Sequence, residues 1–110
     1  MTDEQTNQLF AEKIWGWHLR GIYWEDENND PVGTKLDYTP STNFLQAFEA
    51  LEKFCEDDDY SIELDWDGVI WSCIILNNDS LTIGYSSELD KTTAICNTLI
   101  EALKASNDKN

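Results

Sequence analysis

Apolar residues recur at helical spacing in three stretches of this chain and at alternate positions in a fourth. Phe10, Ile14 and Trp17 fall at i, i+4 and i+7 with Leu9 beside them, and Thr2-Asp3-Glu4-Gln5 ahead of them has the form of a capping box. The pattern predicts a helix over about 3–15 that ends at Gly16. Leu19 to Trp24 reads as one short strand or extended segment with Gly21 in its middle. Residues 25–39 mix acids, Asn, Pro and Gly without a period, and so read as a long surface loop. A second helix is predicted over 42–55, with Phe44, Phe48, Leu51 and Cys55 on one face, entered through Thr39 or Ser41 as cap around Pro40. Glu56, Asp57, Asp58 and Asp59 follow, where the negative end of a helix dipole disfavours acids, so the run is expected beyond the helix.

From Tyr60 the period changes to two. Tyr60, Ile62, Leu64 and Trp66 alternate with Ser61, Glu63 and Asp65, which predicts a half-buried strand over 60–66, at a sheet edge or with one bare face. Asp67-Gly68 suits a two-residue hairpin turn into an apolar strand over 69–76 that is covered on both sides. Asn77 to Ser80 is a turn, and Leu81, Ile83 and Tyr85 mark a third strand over 81–85, which completes an antiparallel meander. Ser87-Glu88-Leu89-Asp90 offers a second capping box for a last helix over 88–105, with Ile95, Leu99, Ala102 and Leu103 on its apolar face and residues 106–110 fraying. The class is therefore α+β, with about three helices packed on a meander of three or four strands. At 110 residues the chain fits one domain, 1–110.

Charge changes the functional picture. Twenty-two Asp and Glu oppose seven Lys and Arg, a net charge of −15, which is the wrong sign for nucleic-acid phosphates or an anionic bilayer. The expected partner is instead a protein with a basic surface, with a homodimer as a further option. Thirteen aromatic residues (five Trp, four Tyr, four Phe) supply a core despite a mean hydropathy of −0.50. Trp66 and Trp71 read as core anchors. Trp15 and Trp17 straddle Gly16 and are expected to point apart, so that one of them, or Trp24, could be an exposed contact or a platform for a base.

Catalytic and metal chemistry finds little support. His18 is the only histidine and reads as structural or solvent-facing; Cys55, Cys73 and Cys96 lack the CxxC or CxH spacing of a metal site and read as buried small hydrophobes. A calcium loop begun at Asp57 would have Ile62 where Gly is required and Gly68 where Glu is required. Neither an enzyme nor a cofactor is expected. The polar, acidic opening residues do not resemble a secretory signal and no apolar run is long enough to span a membrane, so a reducing cytoplasm is the expected location.

The acids on the predicted strand allow two readings. Glu63, Asp65 and Asp67 alternate, which places same-face carboxylates roughly 6–7 Å apart, close to the spacing of successive phosphates on one DNA strand. Together with Glu56–Asp59 and the acids of residues 25–30 they could mimic nucleic-acid charge; the plainer reading is a solvated, solubilising face.

Three stretches carry a family resemblance: Ala11-Glu12-Lys13-Ile14-Trp15-Gly16-Trp17, Tyr38-Thr39-Pro40-Ser41-Thr42-Asn43, and Ala94-Ile95-Cys96-Asn97 with Glu101-Ala102-Leu103-Lys104-Ala105. In this order and at these separations they resemble the phage ABA sandwich domain family, small proteins of bacteriophages and prophages, over nearly the whole chain. The resemblance implies an α/β/α sandwich and a phage origin, and it carries no catalytic motif. Joined to the charge, it gives the leading expectation of a small acidic phage protein that acts on a host protein, such as a CRISPR or restriction nuclease, as a DNA mimic. The alternatives are a protein that binds or sequesters a nucleotide signal, which needs Lys13, Arg20 and Lys35 to converge, and a structural or accessory phage protein.

Overall fold

The computed structural model describes residues 1–108. Helix α1 (Asp3–Lys13) opens on the predicted capping box: the Gln5 amide donates to Thr2 Oγ1 at 3.1 Å and the Thr2 amide donates to Gln5 Oε1 at 2.9 Å. Gly16 then adopts φ +75°, which turns the chain away from the helix. Two departures from the expected pattern follow at once. Residues 19–24 are not one strand but a hairpin, β1 (His18–Arg20) and β2 (Tyr23–Glu25), which turns where Gly21 takes φ +66°. Residues 25–39 are not a plain loop either: β3 (Pro31–Thr34) pairs with β2 and completes a small antiparallel sheet in the order β1-β2-β3. The β2–β3 connection is tied by Asp26, whose Oδ1 accepts from the amides of Asn28 (2.9 Å) and Asp30 (3.0 Å).

Helix α2 (Phe44–Asp58) begins later than expected because Asn43, rather than Thr39 or Ser41, supplies the cap, its Oδ1 accepting from the Gln46 amide at 3.0 Å. It also ends later. Glu56, Asp57 and Asp58 lie in its last turn and only Asp59 leaves it, with φ +55°. Deep burial of Leu51, Phe54 and Cys55 outweighs the dipole penalty on the acids, and Lys53 Nζ lies 3.3 Å from Asp57 Oδ1 on the exposed side.

Strands β4 (Ser61–Trp66), β5 (Trp71–Leu76) and β6 (Thr82–Glu88) form the expected meander in the order β4-β5-β6, with β4 at one edge. Trp66 pairs with Trp71, so the β4–β5 connection spans residues 67–70 rather than two residues, and Val69 lies outside the strand and exposed. Helix α3 (Lys91–Asp108) starts after Glu88 has closed β6. Its cap is Asp90, whose Oδ2 accepts from the Thr93 amide at 2.9 Å, in place of the proposed box at Ser87. The helix runs past Ala105 to Asp108; residues 109 and 110 lie outside the described residues.

The strand registers sort the meander into two faces. Ile62, Leu64, Cys73, Ile75, Gly84 and Ser86 share one face, and α3 lies against it. At Gly84 the approach is so close that a Cβ would stand 2.5 Å from the Thr98 carbonyl oxygen. Thr98 and Asn97, the polar interruptions of α3, both have partners: the buried Thr98 hydroxyl lies 2.7 Å from Ala94 O and 3.2 Å from Cys73 O, and Asn97 Nδ2 donates to Glu88 Oε1 at 3.0 Å. One apolar cluster joins this face to Phe10 of α1 and Ile14 at its C-terminal cap, to Leu51 and Phe54 of α2 and to Trp24 of the small sheet. The observed class is the expected α+β, with three helices and two three-stranded antiparallel sheets.

Candidate functional site

The opposite face of the meander carries Ser61, Glu63 and Asp65 from β4, Ser72 and Ile74 from β5, and Tyr85 and Ser87 from β6, and none of these side chains is buried. Central β5 is therefore covered on one side only, contrary to the reading of 69–76 as apolar on both faces and fully enclosed. A polar chain crosses the open face, with Ser72 Oγ 2.9 Å from Ser87 Oγ and Ser87 Oγ 2.6 Å from Tyr85 Oη. Beside it Glu63 and Asp65 are exposed, on the same side of an edge strand. Among the described residues neither has a cation within salt-bridge distance.

The cations are largely committed elsewhere. Arg20 reaches Glu25 at 3.9 Å, Lys35 reaches Glu4 at 3.1 Å, Lys104 reaches Glu101 at 3.8 Å, and Lys91 Nζ sits 4.1 Å above the Phe44 ring. Arg20 and Lys35 thus face different carboxylates rather than converging on one anion site.

The remaining acids of the proposed surface are not all brought to this face. Glu56, Asp57, Asp58 and Asp59 are exposed at the end of α2, which packs with α3 on the other side of the meander. Asp67 follows β4 but its carboxylate is engaged locally, accepting from the Ile70 amide at 2.7 Å and the Val69 amide at 2.9 Å. Those amides, Ile70 first, hold its carboxyl below the usual aspartate range. Glu25 belongs to the small sheet, buried and facing His18 at 3.2 Å, which gives the lone histidine a structural partner.

The aromatic candidates take unexpected places. Trp15 and Trp17 do not point apart: the turn at Gly16 stacks them, with centroids 5.4 Å apart and planes 17° off parallel. Both contact buried Tyr38. Trp15 Nε1 donates to its hydroxyl at 2.9 Å and Trp17 meets its ring edge-on at 5.0 Å; burial raises the Tyr38 pKa above its ordinary value. Trp24 is 2% exposed and is core, not a surface contact. Trp66, read as a core anchor, is 59% exposed, because it ends an edge strand with its indole stacked on Trp71 at 5.8 Å. The sequence reasoning also missed a groove of about 1170 Å³ between α1, α3 and β6. Its signal is faint, since it depends on how far α1 stands from the last strand.

Cys55, Cys73 and Cys96 are buried free thiols. Desolvation pushes the Cys55 and Cys96 thiols up to about 12 and raises Cys73 as well, the state of inert packing groups rather than nucleophiles. Among the described residues no three His, Cys, Asp or Glu side chains gather in a metal-holding arrangement, and no helix is long and apolar enough to cross a membrane.

No family model matches this chain, and no curated protein matches it. A solved structure does: a phage protein from Bacillus cereus ATCC 14579 is similar at a TM-score of 0.68 and 16% identity, over 93% of this chain and 92% of that one. The likeness shows a shared fold.

Proposed function

We infer that this is a phage-encoded, non-catalytic interaction protein whose acidic surface engages a basic surface of a host protein. The observation that carries the reading is the pair Glu63 and Asp65, exposed on one open sheet face and without a neutralising cation among the described residues, in a chain of net charge −15. Two unpaired carboxylates held by strand geometry roughly 6–7 Å apart present a rigid repeat of charge, and a field of this sign accelerates encounter with a basic groove. Phage origin is supported by the fold shared with the Bacillus cereus phage protein and by the motifs that resemble the phage ABA sandwich domain family. In its finer form the partner is a nucleic-acid-binding defence nuclease, with Glu63 and Asp65 standing where DNA phosphates would.

Capture from a bacterial lysate on immobilised protein, eluted in salt steps, tests this reading. The expected result is a basic, nucleic-acid-binding protein retained at low salt and released as salt rises, since exposed charges are screened within about 10 Å at 0.1 M. A bound protein that ignores salt, or that lacks a basic surface, contradicts it.

A further inference from the structure

The groove between α1, α3 and β6 has a lining that alternation alone would not produce. Thr82, Ile83, Gly84, Tyr85 and Ser86 all border it in unbroken succession. Side chains of a strand alternate between its two faces, and the bulge at Ile83 breaks that alternation at one point, so a groove bordered by all five residues runs along the strand's edge. That edge is free. In the order β4-β5-β6 only β5 pairs with β6, and among the described residues no backbone hydrogen bond other than those to β5 involves Thr82 to Glu88. Alternate N–H and C=O groups of β6 therefore point into the groove unpaired. Thr82–Glu88 contains neither Pro nor Lys, and its guard is a single bulge, the register shift that leaves Ile83 without a partner on β5.

We propose that the β6 edge takes an extended segment of a partner protein as a fourth strand, one with apolar residues alternating with basic ones. Partly buried Leu9, Ile83 and Ile100 give the groove an apolar floor for one side of such a segment. Its other side lies on the open face beside Tyr85, which is 53% exposed and can meet a cation over its ring. Basic residues fit the charge of the site: Glu12 and Glu101 line it, and its one lysine, Lys104, already faces Glu101 at 3.8 Å. A second copy of this chain fits poorly, since it would bring −15 against −15. Five residues of β6 offer an edge of roughly 17 Å, so a segment of about five residues covers it and an octapeptide overhangs it at both ends. This inference rests on the basic-partner reading and adds the element through which the partner binds.

The probe is the capped octapeptide Lys-Val-Lys-Val-Lys-Val-Lys-Val with two twins, one N-methylated at every Val and one at every Lys. A strand added to β6 turns only alternate amides toward it, so one twin should lose affinity by about tenfold or more while the other binds like the parent. Amide exchange at Thr82–Ser86 should slow on binding of the parent. Equal affinity of all three peptides, equal loss in both twins, absence of binding by the parent, or unchanged exchange at Thr82–Ser86 would overturn strand addition. None of these outcomes decides the basic-partner reading, which is judged by the salt-step capture.

Discussion

Ile75 and Ile74 are neighbours on β5, yet Ile75 is fully buried in the core while Ile74 is only partly buried between Glu63 and Tyr85 on the two flanking strands. The two faces of one sheet thus differ in what holds their residues in place. On the inner face, position is set by packing: Gly84 admits the backbone of α3, Thr98 bonds to carbonyls of both layers, and Cys73 fills the space between. On the open face, strand geometry holds Glu63 and Asp65 in place while their chemistry contributes little to the core. Charge can then be chosen for a partner, because the fold does not depend on it.

The largest test of this division is the pair of truncations Ile75→Ala and Ile74→Ala. The first should destabilise by about 3 kcal/mol, through lost burial plus a residual cavity, and the second by about 1–2 kcal/mol, since part of its surface stays in water and no sealed cavity is left. Urea melts measure both, and equal costs would erase the distinction between the faces. Next, Gly84→Ala should cost about 2 kcal/mol, because the new methyl meets the Thr98 carbonyl and α3 must shift away. Thr98→Val keeps the shape but leaves the Cys73 carbonyl without its hydroxyl partner, and should cost about 1–2 kcal/mol.

The cysteines give a smaller, pH-dependent effect. Their thiol pKa values are raised by folding, so the neutral form that the core requires is fully present below the unfolded value. The stability tied to it should decline from about pH 9 towards about 12, as the unfolded chain gains thiolates that the folded one resists. A thiol-reactive disulfide reagent at pH 8 should leave native protein unlabelled and modify all three cysteines in urea. Smallest of all, Glu63→Lys with Asp65→Lys should leave the urea midpoint nearly unchanged, within about 0.5 kcal/mol per site.

The same contrast explains what could be read from the chain. The capping box at Thr2 and Gln5, the apolar stripe of α2 and the alternation of β4 are local patterns with one dominant solution, and each appears where expected. The small sheet was hidden because strands of three or four residues are too short to show a period. What holds β1 and β2 is not a period along the chain but pairing across the hairpin, with Glu25 facing His18 and Arg20, and the reach of Trp24 into the core. Asn43 takes the place of Thr39 and Ser41 as cap because those two lie in a turn ahead of the helix, where the Thr42 and Asn43 amides donate to the Thr39 carbonyl and the Ser41 hydroxyl is buried without a partner. The Thr39 amide donates to Gln46 Oε1 and the Ser41 amide to Asn7 Oδ1. For the proposed interaction surface, alternation placed Glu63 and Asp65 on the open face, but hydrogen bonding diverted Asp67 and chain direction carried Glu56–Asp59 to the helical side.

The most direct test of the account is therefore charge reversal on the open face alone. Glu63→Lys/Asp65→Lys protein, shown by its unchanged urea midpoint to be folded, is compared with the unaltered chain for retention of the basic host protein across the same salt steps. The account predicts that the double variant fails to retain it at low salt. Retention indistinguishable from that of the unaltered chain would contradict the central claim and place the contact elsewhere on the molecule.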